Sequence, residues 1–389
     1  MEQPPQWDFD AVVDRRGGDS IKWNAAGDTV AMWYADADFL SPPAVRAALE
    51  RRAAHGVYGY VSEPAGLRAR IVKRMATRYG WRITRDDIVW VPGIIPGFNL
   101  AYQMIAEPGA GVVVQAPTFY PISRDLTLHD LVAQPAQLRR WEAGHTVHFA
   151  YDPDAFAAAF TPATRMVSLC HPHNPTGLVV DRAALEHMAS VSLAHGAVIV
   201  SDEIHCDIAL DGTPHIPLAA LSPEVAQQTI TLMSPSKAYN IPGLGLGYAI
   251  IPNPTLRARY VAASAGMLAH PTAFGYAGVA AAIIDGDPWL TAANAYCAAN
   301  LAYAQAYLAR HLPRLRATQP RSTYLWWIDC RDAGIVGNPS RFFAQHGVLL
   351  GDGAPFGGDS AGFVRMTLAC PRATLLAGLE AMRRALDSI

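Results

Sequence analysis

Five short segments of the chain set reactive side chains among turn-forming residues, and each follows a brief apolar run. Ile88–Val91 leads into Pro92-Gly93-Ile94-Ile95, and Val112–Val114 is followed by Pro117-Thr118-Phe119-Tyr120-Pro121. Met166–Cys170 leads into His171-Pro172-His173-Asn174-Pro175-Thr176-Gly177, Ala197–Val200 into Ser201-Asp202-Glu203-Ile204-His205, and Thr229–Met233 into Ser234-Pro235-Ser236-Lys237. A lysine amine can bond to an aldehyde, a carboxylate can keep a ring nitrogen protonated, an amide can meet a ring oxygen, and an aromatic face can cover a ring. Hydroxyls and the first N–H groups of a helix hold phosphate. Singly these features are weak, because an Asp just past a strand often caps a turn and a lone His is commonly a core residue. Together, in this order, they are the groups that pyridoxal 5'-phosphate chemistry requires.

The elements that must position these groups are legible from periodicity. Ser41-Pro42-Pro43 with Val45, Leu49 and Gly56 reads as a helix with proline in its first turn and a glycine stop. A second helix is predicted from near Glu63 to Tyr79, with Leu67, Ile71 and Met75 one turn apart. Beyond it, continuous apolar runs, the last of them Leu246–Ile251, alternate with helical stretches such as Asp181–His195. That pattern predicts an α/β fold with a mostly parallel sheet covered on both faces. Ligands in such sheets bind beyond the carboxyl ends of the strands, where the reactive segments fall. From Asp287 an Ala-rich helical stretch runs to Leu312, followed by strand-like Ser322–Cys330, a strand near Phe363–Ala369 and a helix from Ala373. The expected division is an N-terminal segment, 1–40, packing with the small domain, a large cofactor-binding domain, 41–286, and a small α+β domain, 287–389.

Composition narrows the function classes. With 31 Lys plus Arg against 33 Asp plus Glu, the net charge of −2 gives no bulk drive toward nucleic acid or anionic lipid. The five cysteines are scattered and form no C-x-x-C pair, which fits a reduced, cytoplasmic setting. The first residues carry no long apolar stretch of the signal-peptide kind, and no apolar run is long enough to span a membrane. The expectation is an enzyme acting on a small molecule, without nucleic-acid or membrane partners.

The segments HNPTG, SDEIH and SPSKAYN resemble the landmarks of the aspartate-aminotransferase superfold. With FDAVVDRRGGDSIKWN, MWYADADF, HGVYGY, VPGIIPGFNLA, TYLWWIDCR and FVRMTLACPR, the pattern resembles the MalY/PatB branch of cystathionine β-lyases, a group of carbon–sulfur lyases. The resemblance implies that Lys237 is the Schiff-base lysine and moves the substrate's α-proton. It implies that Asp202 pairs with the ring nitrogen, Asn174 with the ring hydroxyl, and Phe119 with the ring face, with His205 also binding the cofactor and Tyr120 in a catalytic position. Ser234, Ser236 and the backbone of Gly93, Ile94 and Ile95 would hold the phosphate, and Tyr60 would complete that site from the neighbouring subunit of a homodimer. Arg365 would grip the α-carboxylate of an amino-acid substrate beside Tyr34 and Asn174. The implied reaction is β-elimination to thiol, pyruvate and ammonia. Transamination and decarboxylating deamination are the rival reactions, and a regulatory protein keeping the fold is a rival of another class, opposed by the intact Lys237, Asp202 and Asn174.

Departures from the pattern bear on specificity. Aminotransferases usually place a phosphate-binding arginine eight residues after the lysine, where this chain has Gly245. Thr367, Trp326 and Tyr34 differ from the residues usual in the branch at positions expected to shape the substrate pocket. Gly358-Asp359-Ser360-Ala361-Gly362 matches a hydrolase elbow string, but a strand-like run follows it and no histidine occurs after His346. Gly243-x-Gly245-x-Gly247 precedes a strand instead of following one, unlike a dinucleotide fingerprint. His171, His173, His205 and Cys206 fit no standard metal-ligand spacing.

Overall fold

The computed structural model describes residues 7–389, so the signal-peptide reading of residues 1–6 lies outside the described residues. A seven-stranded sheet runs in the spatial order Ile88–Val91, Gly247–Ile250, Thr229–Met233, Val198–Asp202, Thr164–Cys170, Gly111–Ala116, Val132–Gln137. Gly247–Ile250 is antiparallel to both neighbours and the remaining pairs are parallel. Strand alternation explains why both faces are covered. Val112, Val114, Met166 and Val200 join Phe98 and Tyr102 of the helix Ile94–Met104 in one apolar cluster, while Val113, Val167, Leu169 and Ile199 join Leu185 and Met188 of the helix Arg182–Ala194 in another.

A second sheet of six strands has the order Gly351–Asp352, Phe363–Thr367, Leu325–Asp329, Arg316–Ala317, Thr146–Ala150, Arg139–Ala143. Its last two strands form a hairpin drawn from the middle of the chain, before the long helix Asp287–His311. Val30–Ala31 pairs in parallel with Val348–Leu349, which ties the N-terminal segment to the C-terminal region.

Several boundaries moved for identifiable reasons. The second helix begins at Leu67, four residues after the expected Glu63, because Gly66 before it is left-handed at φ 79° and the stretch ahead is irregular. The strand expected over Ser322–Cys330 is Leu325–Asp329, since Thr323 has φ 68° and breaks the extended run. Val132–Gln137 and the hairpin form no continuous apolar run: the strands Val132–Gln137 and Arg139–Ala143 are mostly exposed, and His148 interrupts Thr146–Ala150.

Candidate active site

Parallel register brings the reactive segments together. Cys170 pairs with Asp202 and Asp202 with Leu232, so the turns carrying Asn174, Asp202 and Lys237 leave the sheet at adjacent strand ends. They open onto a cleft of about 690 Å³, within the range of roughly 300–1,000 Å³ usual for small-ligand sites. Tyr34, Gly93, Ile94, Ile95, Phe119, Tyr120, Asn174, Asp202, His205, Ser234, Ser236, Lys237 and Arg365 all line it. Tyr60 does not: it stands fully exposed in the irregular stretch between two helices.

Each group is held by its local structure. Gly93, at φ 145°, precedes the helix Ile94–Met104 and aims its first N–H groups at the cleft. The Ser234 hydroxyl donates to the Leu246 carbonyl at 2.9 Å and accepts from the Ser236 N–H at 3.1 Å, whereas the Ser236 hydroxyl has no protein partner among the described residues. Gly245 takes a left-handed conformation, φ 57°, in the same wall. Phe119 and Tyr120 pack 5.6 Å apart, and Tyr120 meets Phe356 edge-on.

The electrostatics of the cleft are unbalanced. Asp202 is buried and accepts from the Ile204 N–H at 3.1 Å, and burial pushes its carboxyl up to about 7. Lys237 donates to the Ala35 carbonyl at 2.6 Å; burial, then the charge of Arg365, brings its amine down to about 8. His205 is lowered to about 3 by burial and the same two cations, and its Nδ1 has no partner. Arg365, on the strand Phe363–Thr367, donates to Asn174 Oδ1 at 3.0 Å and the Trp33 carbonyl at 3.3 Å, lies over the Phe356 ring, and leaves Nε unpaired. Burial draws it down to about 10, and no carboxylate pairs with it among the described residues. A buried guanidinium in that condition has a charge that an anion brought from outside could meet.

Two expectations about substrate shape are corrected. Trp326 is a core residue whose indole donates to the Thr318 carbonyl at 2.9 Å, and Thr367 is buried with its backbone N–H donating to the Met32 carbonyl at 2.9 Å; neither lines the cleft. Along strands both faces can be buried, so sequence position alone did not tell core from cleft. Tyr34 does line it, beside Trp33 at a ring separation of 4.8 Å. The sequence did not single out Phe356 or the Ala35 carbonyl, the first because it sits in a short 3₁₀ turn without a motif, the second because it is backbone.

A second cleft of about 450 Å³, bordered by His148, Asp211 and Arg321, holds an arginine already paired with Asp211 at 2.7 Å and presents no comparable free charge. No helix among the described residues is long and apolar enough to cross a membrane.

The cleft's donor set fits pyridoxal phosphate: an amine of lowered proton affinity, a carboxylate awaiting a cation, an aromatic wall and a helix N-terminus beside a free hydroxyl. Comparison with known proteins agrees. Cystathionine beta-lyase PatB of Bacillus subtilis is 32% identical over 388 residues, covering 97% of this chain and 100% of PatB. The crystal structure of OvoB superposes with a TM-score of 0.93 at 37% identity, over 98% of this chain and 100% of that one. The PLP-bound C-S lyase from Staphylococcus hominis gives a TM-score of 0.90 at 26% identity, over 98% and 99% of the two chains. Residues 33–382 match the model of aminotransferase class I and II, and this chain belongs to that family.

Proposed function

We propose that the protein is a pyridoxal 5'-phosphate-dependent carbon–sulfur β-lyase acting on a cysteine S-conjugate or a cystathionine-like amino acid. The observation that carries this reading is Arg365, a buried guanidinium without a carboxylate partner among the described residues, in one cleft with Lys237 and Asp202. The lyase names of PatB and of the Staphylococcus hominis protein support it.

When bound, the cofactor supplies a protonated ring that draws off the electron pair left at the substrate's α-carbon. Lys237 would hold it covalently, Asp202 would keep its ring nitrogen protonated, Asn174 would meet its ring oxygen and Phe119 would cover its face. Ser236 and the N–H groups of Ile94 and Ile95 would bind the phosphate, with Ser234 joining if its hydroxyl leaves the Leu246 carbonyl. Arg365 takes the α-carboxylate through two parallel hydrogen bonds and so orients the α-C–H toward Lys237 Nζ. Once the substrate's own amino group has taken its place, the freed Lys237 amine, whose hold on a proton is weakened by burial and then by Arg365, accepts the α-proton. The Cβ–S bond then breaks with its electron pair on sulfur, a proton makes the thiol, and water converts the three-carbon remainder to pyruvate and ammonia. Tyr120 borders the path of the departing sulfur. Gly245 offers no guanidinium where a transaminase has its phosphate arginine. In this reading the enzyme is a homodimer whose Tyr60 reaches the partner's phosphate site.

The test is product analysis with S-alkyl cysteines. The expected products are pyruvate, ammonia and thiol without added keto acid. A keto-acid requirement with accumulation of pyridoxamine phosphate would establish an aminotransferase instead, and carbon dioxide with an aldehyde a decarboxylating deaminase.

A further inference from the structure

His173 stands directly before Asn174 and is fully buried, yet both nitrogens of its ring have partners. Nε2 lies 3.0 Å from the Pro117 carbonyl oxygen and Nδ1 lies 2.7 Å from the Thr176 hydroxyl. A carbonyl oxygen can only accept, so Nε2 carries the ring proton, and in the neutral ring Nδ1 accepts from Thr176. The Thr176 oxygen in turn accepts the Leu178 N–H at 3.3 Å. Burial favours the neutral ring, drawing it down to about 4. Two other buried histidines of the strand-end turns differ: both ring nitrogens of His171 and Nδ1 of His205 have no partner.

The two bonds differ in reach. Thr176 belongs to the turn of His173 itself, which is closed further by the His173 N–H donating to the Leu178 carbonyl at 2.9 Å and the Gly177 N–H to the His173 carbonyl at 2.8 Å. Pro117 lies 56 residues earlier, in the turn that follows the strand Gly111–Ala116 and carries Phe119 and Tyr120. The ladder between that strand and Thr164–Cys170 has its last pair at Val114 and Ser168. Beyond it the two exits are joined by Gln115, which accepts the Cys170 N–H at 3.1 Å, and by the His173 imidazole. On its far side the Pro117 turn is tied by the Thr118 N–H, which donates to the Phe356 carbonyl at 2.9 Å. Asn174 gives its Oδ1 to Arg365 at 3.0 Å, so a shift of its turn relative to Phe119 reaches the guanidinium as well as the ring site. His173 itself does not line the cleft.

We propose that His173 is a positioning residue for the cofactor: its Nε2–H ties the turn that presents Asn174 to the turn that presents Phe119, and so fixes the spacing between the group that meets the ring's edge and the group that covers its face. The imidazole acts through those two turns and touches neither cofactor nor substrate. A side chain that fills its space without an N–H leaves the buried Pro117 carbonyl without this donor. The amide of an asparagine at this position reaches about as far as Nδ1, and that of a glutamine about as far as Nε2, so the two bonds can be removed one at a time. The inference rests on the reading in which Asn174 and Phe119 meet the cofactor.

The test is the dissociation constant of pyridoxal 5'-phosphate for the cofactor-free full chain, read from the absorbance of the bound cofactor in an equilibrium titration, with urea unfolding of the same variants alongside. His173→Asn keeps the bond to Thr176 and loses the one to Pro117, and should weaken binding by about 10-fold; His173→Gln keeps the bond to Pro117 and should stay within about 3-fold of the parent. Should His173→Asn fail to fold, His173→Met takes its place with the same expected loss, because it has the length of glutamine without a donor. Equal affinities in the donor and donorless variants, or losses that merely follow their unfolding midpoints, overturn the proposal. Asn174→Ala and Phe119→Leu distinguish the two failures: if neither weakens binding, the reading of the cofactor site falls, whereas if they weaken it and the donorless His173 variant does not, only the role of His173 falls.

Discussion

Arg74 and Arg365 are buried almost equally, at 8% and 7% exposure. Arg74 donates two bonds of 2.9 Å to Asp287, lies 3.1 Å from Asp207 and donates to the Tyr239 hydroxyl at 2.9 Å. Burial opposes its charge, but Asp207 and its neighbours outweigh burial and raise its proton affinity well above the ordinary value. Arg365 has an amide, a backbone carbonyl and an aromatic face, and its affinity falls. The difference separates two uses of a buried charge. Arg74 joins the helix Leu67–Tyr79 to the start of the helix Asp287–His311 and to the lysine turn, a structural staple whose charge is met inside the chain. The charge of Arg365 is met by no carboxylate among the described residues.

Lys237 belongs with Arg365 on the unmet side, and its removal is the largest effect expected. Lys237→Ala should lower turnover of an S-alkyl cysteine by at least ~10²–10⁴-fold, the usual contribution of a positioned base, and should abolish borohydride-trapped label in the peptide containing position 237. Because Lys237 and Arg365 repel each other, the cofactor-free variant should melt no lower than the parent. Label retained on another lysine would break the assignment.

The two arginines provide the direct contrast. Arg74→Met takes one cation from Asp207 and Asp287 while Arg78 still meets both, and the loss of its charge-assisted bonds should cost about 1.5–3 kcal/mol of stability, readable in urea unfolding. Arg365→Met should leave stability within about 1 kcal/mol of the parent, since no carboxylate is stranded, but should reduce kcat/KM by roughly 10–100-fold through the loss of a charge-assisted pair worth about 1.5–3 kcal/mol. Arg365→Lys keeps the charge without the planar fork and should recover only part of that loss. Equal unfolding penalties in the two methionine variants would erase the distinction between them.

Asp202 extends the contrast to pH. Its carboxyl titrates near 7 in the folded chain against an ordinary 3.8, so the native state binds more protons than the unfolded state between those values. Stability from this group is therefore lost as pH rises through that window, and the loss is complete above about 7. In the cofactor-free chain Asp202→Asn should melt close to the parent near pH 4 and above it near pH 8. A difference that does not grow with pH would show that Asp202 already has a cationic partner.

Much of this was legible in the sequence because local signals and tertiary position coincided. Apolar runs ending in Asn174, Asp202 and Lys237 are strands in parallel register, so order along the chain became adjacency at one sheet edge. What the sequence hid depends on pairing across distance. Nothing near Arg74 or Arg365 says which one meets a carboxylate, because Asp287 lies 213 residues from Arg74 and Asn174 lies 191 from Arg365. Trp326 and Trp327 are adjacent and both fully buried, yet they belong to different apolar clusters, a division set by strand faces that the run STYLWWIDC cannot reveal. The Ala35 carbonyl has no side-chain signature at all.

The smallest effect expected, and the one that tests assembly, concerns Tyr60. Its ring is fully exposed beside the exposed Val57 and Tyr58, while every other residue assigned to the phosphate site lies in the cleft wall. A tyrosine held out in that way contributes to a site only if another chain brings the site to it. In a two-fold dimer each site would then draw Lys237 from one protomer and Tyr60 from the other. Tyr60→Phe alone should weaken cofactor retention only modestly, since one hydrogen bond is worth about 0.5–1.5 kcal/mol, and more where the acceptor is charged. Tyr60→Ala adds the loss of the ring. Mixing Tyr60→Ala with Lys237→Ala at equal concentration would place both lesions in one site of each heterodimer and leave the other intact. Random exchange makes about half the dimers mixed, so their intact sites should contribute about a quarter of the wild-type level, added to about a quarter of whatever activity Tyr60→Ala retains by itself. If Tyr60 served its own chain, every site in the mixture would carry one lesion or the other, and activity would stay at the average of the two parents even with heterodimers demonstrated by mass.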